Sequence, residues 1–363
     1  MSPKRVLIYR LGSLGDTIVA LPCFHLIAAR FPGAERRVLT GFPVNAAKES
    51  PIATILNGTD LAHGYMRYPV GTRDVQNLFQ LASEIRAWKP DVLINICPAR
   101  GIARAIRDWA FFRLCGIRRM IGFAPQAHRQ STRVDPNTGL YQNEADRLLD
   151  RLKALNPREA GVSKSWDLAL SAEETDKAIA ALAPIEERPK IAVSMGAKFS
   201  AKDWGEENWH QLANRMALRF PEHGLMLVGS ADEADRSHRA SQVWRDRRVN
   251  LCGKMSPRES AAALAKAELF VGHDGGPMHL AASMGTRCVA IFSARDMPGR
   301  WYPNGDGHRL IYHQTDCFGC KLEKCTQHEM KCILSITVDE VIENIEIAYD
   351  GVQKDLTQKD LTG

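Results

Sequence analysis

Short runs of aliphatic and β-branched residues alternate along the chain with longer segments of helical spacing. RVLIYR is followed by a helix from about Asp16, and RRVLTG near residue 40, DVLINICPA in the nineties and RRMIGF near 120 supply further strands. Each strand is nearly all apolar, as strands are when helices cover both faces of a parallel sheet. After a break, SAEETDKAIAALA (171–183) reads as a helix capped by Ser171, with Glu174 completing a capping box and Pro184 ending it. Beyond the polar connector IEERP, the segments KIAVSMG, HGLMLVGS, RVNLCG, ELFVGHDGG and RCVAIFS repeat the first rhythm. The pattern predicts two Rossmann-like α/β domains, residues 1–170 and 189–335, joined by a linker helix and connector over 171–188. Ligands are expected in a central cleft on which the two parallel sheets face, where strand ends and helix N-termini offer free N–H groups to anions. A C-terminal helix is expected over 336–350, packing back toward the N-terminal domain, and the polar stretch 351–363 reads as a frayed tail.

Composition adds limits. With 363 residues, 45% of them hydrophobic and 25% charged, the chain has material for two buried cores. No uninterrupted apolar run reaches membrane-spanning length, and Arg10 and Asp16 interrupt RVLIYRLGSLGDTIVALP, so a cytoplasmic protein is expected, with the cytoplasmic face of the inner membrane as its place of peripheral contact. The net charge of +6 favours anionic partners, and nothing in the motifs calls for nucleic acid. Nine cysteines in such a compartment are reduced thiols or metal ligands.

Candidate chemistry gathers at strand-to-helix junctions. In LGSLGDT, Gly12 and Gly15 bracket a turn and Asp16 opens the helix. Two readings of Asp16 stand side by side: a helix cap, or a carboxylate kept ionised by the helix dipole that accepts a proton from an acceptor hydroxyl. Lys198 and Lys202 lie in the loop after KIAVSMG, either solvated or placed to stabilise a leaving diphosphate. In ELFVGHDGGPMHLAASMG, Gly275 and Gly276 expose backbone N–H groups at a helix start that Pro277 pre-sets, an anion seat beside Asp274, Met278 and His279. Cys317, Cys320, Cys325 and Cys332 have the spacing of a thiolate knuckle for a structural zinc or iron ion, although free thiols or a labile disulfide would fit the same spacing. Cys23, Cys97, Cys115, Cys252 and Cys288 lie in apolar segments and read as core residues. Arg100, Arg104 and Arg107 share a face of the helical run from Arg100 to Met120, which also carries Trp109, Phe111 and Phe112; the face suits an anionic acceptor, a membrane edge or plain solvent.

RxGxLGD from Arg10 to Asp16, KDW followed by acidic residues and Trp209, VGSADEADR, GKMS and HDGGPMHLAA together resemble glycosyltransferase family 9, the bacterial heptosyltransferases of the lipopolysaccharide inner core. The likeness covers about residues 4–350. It implies a GT-B fold and inverting transfer of a heptose from ADP-heptose to an acceptor hydroxyl, without a catalytic cofactor. It further implies Asp16 as general base with Ser13 and Gly15 near the reacting sugar, Lys202 at the donor phosphate, and Glu233 on the ribose. Met255 falls where backbone meets adenine, Asp274 binds sugar, His279 matches the family histidine, and the N–H groups of Gly275, Gly276 and Met278 hold diphosphate. Two positions depart from the family pattern: Gly275 stands where Thr or Ser is usual, and Gly205 where proline is common. The cysteine quartet is similar to that of autotransporter-modifying members, in which it binds iron, so the acceptor can be a protein as well as a glycolipid. The same motifs also suit a GT-B epimerase or hydrolase, or a scaffold that binds a sugar nucleotide.

Overall fold

Residues 3–42, 50–68, 75–123, 133–156 and 164–360 are described in the computed structural model, the side chains of 356–360 excepted. The chain divides into two units, Met1–Ala169 and Leu170–Gly363. In the first, β1 (Arg5–Tyr9), β2 (Glu35–Gly41), β3 (Gly64–Tyr68), β4 (Val92–Asn95) and β5 (Arg119–Ile121) pair in parallel in the order β3-β2-β1-β4-β5. The helices are α1 (Leu14–Val19), α2 (Leu21–Arg30), α3 (Ala53–Leu56), α4 (Val75–Trp88), α5 (Ile102–Leu114) and α6 (Glu144–Arg151). Val6 to Tyr9 and all of β4 are buried, which accounts for their unbroken apolar sequence. Strand order reverses between β1 and β4, so the segments leaving these two strands diverge and open a crevice at their carboxyl ends.

The second unit repeats the plan with β6 (Lys190–Ser194), β7 (Gly224–Leu227), β8 (Arg248–Asn250), β9 (Leu269–His273), β10 (Arg287–Phe292) and β11 (Arg309–Tyr312), all parallel, in the order β11-β10-β9-β6-β7-β8. Its helices are α7 (Ala172–Leu182), α8 (Glu206–Arg219), α9 (Ala234–Ala240), α10 (Pro257–Leu264), α11 (Gly276–Ser283), α12 (Lys331–Leu334) and α13 (Val338–Asp360). The switch point lies between β6 and β9. The capping box of Ser171 and Glu174 starts α7 as the sequence predicts. Glu174 also receives buried Arg258 of α10 at 2.6 and 2.9 Å, so the linker helix packs within the second unit.

The C-terminal segment departs from expectation. α13 continues to Asp360, through most of the stretch read as a frayed tail; the remainder, 361–363, lies outside the described residues. Its apolar positions Val341, Ile345 and Ala348 join Trp209, Met216, Val289 and Ile291 in the core of the second unit. These positions form one helical face inside the expected helix, and beyond residue 350 Val352 packs, partly buried, against the same core. Among the described residues no helix is long and apolar enough to cross a membrane.

Because Ile345 is fully buried in that cluster, Ile345→Ala should destabilise the second unit by roughly 2–4 kcal/mol. Urea denaturation reads this directly; a loss below about 0.5 kcal/mol would show α13 to be peripheral.

Candidate active site

The carboxyl ends of β6, β7 and β9 bring most of the predicted donor residues of the second unit to one edge of its sheet. After β9, Asp274 is 8% exposed and precedes Gly275, the N-cap of α11, with Gly276 and Pro277 in the first turn. Lys202, in the short turn Ser200–Lys202 after β6, places Nζ 2.5 Å from Asp274 Oδ2 and 3.3 Å from the Asp274 carbonyl. His279, buried on α11, lies with Nε2 3.9 Å from Asp274 Oδ1, and Met278 is fully buried beside it. An ammonium, a carboxylate and free helix N–H groups thus share one small region, the combination that holds an anionic leaving group next to a polyhydroxylated one. Lys198 stays exposed, with Nζ 5.1 Å from the centre of the Phe199 ring.

His273 sets the path of the loop carrying both lysines. The Trp204 N–H donates to its Nε2 at 3.0 Å, which leaves Nδ1–H to donate to the Gly196 carbonyl at 2.9 Å. Burial pushes the His273 pKa down from 6.5 to about 4, so the ring is neutral at neutral pH and keeps this tautomer. Trp209 packs edge-on against the ring at 5.2 Å and against Trp204 at the same distance. Next in the loop, Asp203 takes both guanidinium nitrogens of Arg236 at 2.7 Å. Burial opposes ionisation of Asp203, but the Arg236 pair and the Gly205 N–H outweigh it and hold the carboxyl below its ordinary range.

Glu233, in the turn after β7, closes a capping box with Ser230. Its carboxyl lies against the backbones of Gly196 and Gly229, where a Cβ on either glycine would overlap it, and burial pushes its pKa up. The half-buried Met255 follows β8 in a loop tied back by the Gly253 N–H to the Gly229 carbonyl at 2.9 Å.

In the first unit, helix α1 starts at Leu14 with Ser13 as N-cap and Asp16 as the reciprocal partner of a capping box. Asp16 Oδ2 accepts from the Ser13 N–H and Oγ–H, both at 2.7 Å, and buried Arg10 reaches Oδ1 at 3.9 Å while donating to the Ile96 carbonyl at 2.6 Å. Gly12 passes so close that a Cβ there would sit 2.6 Å from that of Asp16. The carboxylate is therefore held in one orientation at the switch point between β1 and β4, with its side chain 23% exposed. Nearby, Arg100 and Arg107 both pair with buried Asp108, at 2.5 and 2.7 Å, whereas Arg104 is exposed.

The family model of glycosyltransferase family 9 (heptosyltransferase) matches residues 111–331. The chain belongs to glycosyltransferase family 9. It is 26% identical over 159 residues to lipooligosaccharide heptosyltransferase 2 of Campylobacter jejuni, covering 42% of this chain and about half, 49%, of that relative's length. Over 300 residues, 80% of each protein, it is 22% identical to the lipopolysaccharide core heptosyltransferase OpsX of Haemophilus influenzae. Among solved structures, ADP-heptose LPS heptosyltransferase II of E. coli superposes with a TM-score of 0.65 at 18% identity, over 97% of this chain and 99% of that one, a likeness of α/β GT-B fold.

Several features of this family 9 chain escape the sequence. Asp296, after β10, reaches Lys202 Nζ at 3.8 Å and pairs with Arg295 at 2.6 Å. Its signal is an acidic residue just past a strand of the same sheet edge. His273 lies inside HDGG but points back to the loop after β6. Gly205 has φ +97°, closed to proline, whose ring fixes φ near about −65°. Gly275 has extended backbone, φ −171°, and a Cβ there would meet nothing closer than 3.9 Å.

The cysteine quartet is not gathered as expected. Cys317 Sγ lies 3.4 Å from Thr315 Oγ1, Cys332 Sγ 3.6 Å from Ser293 Oγ, and Cys325 Sγ accepts from the Met330 N–H at 3.4 Å. Among the described residues no group of three or more His, Cys, Asp or Glu side chains is arranged to hold a metal ion. Backbone N–H groups of Met330, His328 and Gln327 turn onto Cys325 and hold its thiol below the ordinary value although burial opposes them. The other five cysteines are buried.

The buried neutral His273 makes a pH prediction. Its folded pKa lies below its unfolded one, so between pH 4 and 6.5 the unfolded chain binds the extra proton and stability rises with pH. The contribution is complete above pH 6.5, on the order of 3 kcal/mol, and is lost as pH falls toward 4. Urea denaturation across this window should show a flatter profile for His273→Gln than for the parent; identical slopes would contradict the assignment.

Proposed function

We propose that this family 9 chain is an inverting glycosyltransferase that moves a heptose from ADP-heptose to an acceptor hydroxyl, on the lipopolysaccharide inner core, at the cytoplasmic face of the inner membrane. The observation that carries the reading is the pair of Lys202 and Asp274 at the glycine-led start of α11. Two relatives support the sugar and the acceptor by name: the E. coli protein is an ADP-heptose transferase, and the Haemophilus one a lipopolysaccharide core heptosyltransferase.

In this reading Lys202 and the N–H groups of Gly275, Gly276 and Met278 stabilise the negative charge that grows on ADP as the sugar bond breaks. Asp274 binds sugar hydroxyls with His279 behind it, Glu233 takes the ribose, and the backbone at Met255 meets the adenine. Lys198 supplies a second cation at the entrance. Asp16 accepts the proton of the acceptor hydroxyl as its oxygen attacks the anomeric carbon, with Ser13 and Gly15 at the reacting sugar. One displacement at that carbon inverts its configuration. Leaving-group charge is met by protein groups, so no step is assigned to a metal. The acceptor's anionic groups fall to Arg104 and to the edges of Arg100 and Arg107 left over by Asp108. Exposed Ile102, Ile106 and Trp109 recur at helical spacing on α5, close in sequence to these arginines, and suit contact with the membrane that carries the acceptor.

Asp16→Ala should abolish transfer to a lipopolysaccharide-core acceptor while leaving ADP affinity within about twofold, since Asp16 is remote in sequence and sheet from the donor groups. Calorimetry and a coupled ADP-release assay measure the two quantities. Unchanged turnover in the variant would remove the base, and donor consumption without any acceptor would favour an epimerase or hydrolase instead.

A structural zinc or iron ion on Cys317, Cys320, Cys325 and Cys332 is the remaining part of the proposal. Its support is the soft donor set and the hydrogen bonds that favour the Cys325 thiolate; the ion would draw the four sulfurs together and brace the loop. Elemental analysis of protein purified without added ions should find one zinc or iron per chain. Four titratable thiols with no bound metal would end this part.

A further inference from the structure

Lys202 stands between two carboxylates. Its Nζ is 2.5 Å from Asp274 Oδ2 and 3.8 Å from Asp296 Oδ2, and all three side chains are less than one-fifth exposed. Either carboxylate, left alone, would draw the ammonium to itself, and Asp274 directly precedes Gly275, the N-cap of α11. What decides between them is Arg295.

Arg295 is 8% exposed and occupies the oxygen of Asp296 that faces Lys202, with Nη1 at 2.6 Å. Its other donors are fixed by the cysteine-rich loop: Nε gives to the Leu322 carbonyl and Nη2 to the Lys321 carbonyl, both at 2.8 Å. The guanidinium also lies 4.9 Å from the centre of the Phe199 ring, three residues before Lys202. A planar fork with five donors in fixed directions serves these three acceptors together. The loop is tied to the lysine's own turn as well, by the Ala201 N–H to the Glu323 carbonyl at 3.1 Å.

We propose that Arg295 is a positioning residue for the donor diphosphate: by neutralising Asp296 it leaves Lys202 on Asp274 and directed to the anion seat of α11. This rests on the donor-binding reading above. The cysteine-rich loop holds Arg295 in place and so reaches the donor site without touching the donor.

Calorimetric titration of the full chain with ADP and with AMP tests the idea. The parent should prefer ADP, and Lys202→Met should remove that preference; if the parent binds neither nucleotide, or Lys202→Met changes nothing, the donor reading fails. Given those controls, Arg295→Met should weaken ADP binding roughly tenfold and leave AMP binding unchanged. The double variant R295M/D296N should recover ADP affinity, because the competing carboxylate is gone. D296N alone, which keeps the carbonyl contacts of Arg295, should bind ADP at least as well as the parent. Parental ADP affinity in R295M, failure of the double variant to recover, or weakened ADP binding in D296N would each overturn the proposal.

Discussion

The arrangement around Lys202 and Asp274 depends on one neutral imidazole. His273 has a single acceptor nitrogen and a single N–H, and the fold uses both, one for the Trp204 N–H and one for the Gly196 carbonyl. These two bonds pin each end of the loop that leaves β6, so Lys202 is brought to Asp274 by a clamp with no charge of its own. A protonated ring would offer two donors and find one acceptor, and the Trp204 N–H would lose its partner in a buried setting. The indoles of Trp204 and Trp209 keep water from this clamp. Neutrality also keeps a buried positive charge away from Arg236 and Lys202, which are already crowded there.

The same logic of paired charges runs through both switch points. In the second unit three cations and three anions alternate from Arg236 through Asp203, and from Lys202 through Asp274 and Asp296 to Arg295. In the first, Arg10 and the capping box of Ser13 fix Asp16, while Asp108 binds Arg100 and Arg107. Removing one member of such a chain leaves its neighbour buried and uncompensated, which costs more than the pair itself contributes. In each unit these pairs set the side-chain directions.

Central strands and capping boxes are legible in the sequence because burial on both faces leaves an unbroken apolar run and because Ser171 with Glu174 is a local signal. The edge strands β3 and β11 are not, since GYMRY and RLIY are half exposed and mix polar with apolar residues. Helix α13 runs past the expected end at residue 350, where the sequence is mostly polar and Val352 packs partly buried against the core. At the candidate site, Asp274, Lys202 and Glu233 sit at junctions that motif spacing marks. His273 and Asp296 act through Trp204 and Lys202, tens of residues away and brought near by the sheet order, and Arg295 through the carbonyls of Lys321 and Leu322. The expected arginine face is less free than its spacing suggests for a related reason: Arg100 stands before α5 and Arg107 on it, and buried Asp108 holds both.

Gly275 is the loosest point of an otherwise crowded site. Its extended backbone is open to any residue, and a Cβ there would meet its neighbours at an ordinary contact distance of 3.9 Å. Glycine at this N-cap is thus a choice of chemistry rather than a demand of geometry, and a change to serine would add a hydroxyl at the mouth of the helix without moving a neighbour. The start of α11 can therefore gain a side chain, and with it a new polar group, while the surrounding ion pairs stay as they are.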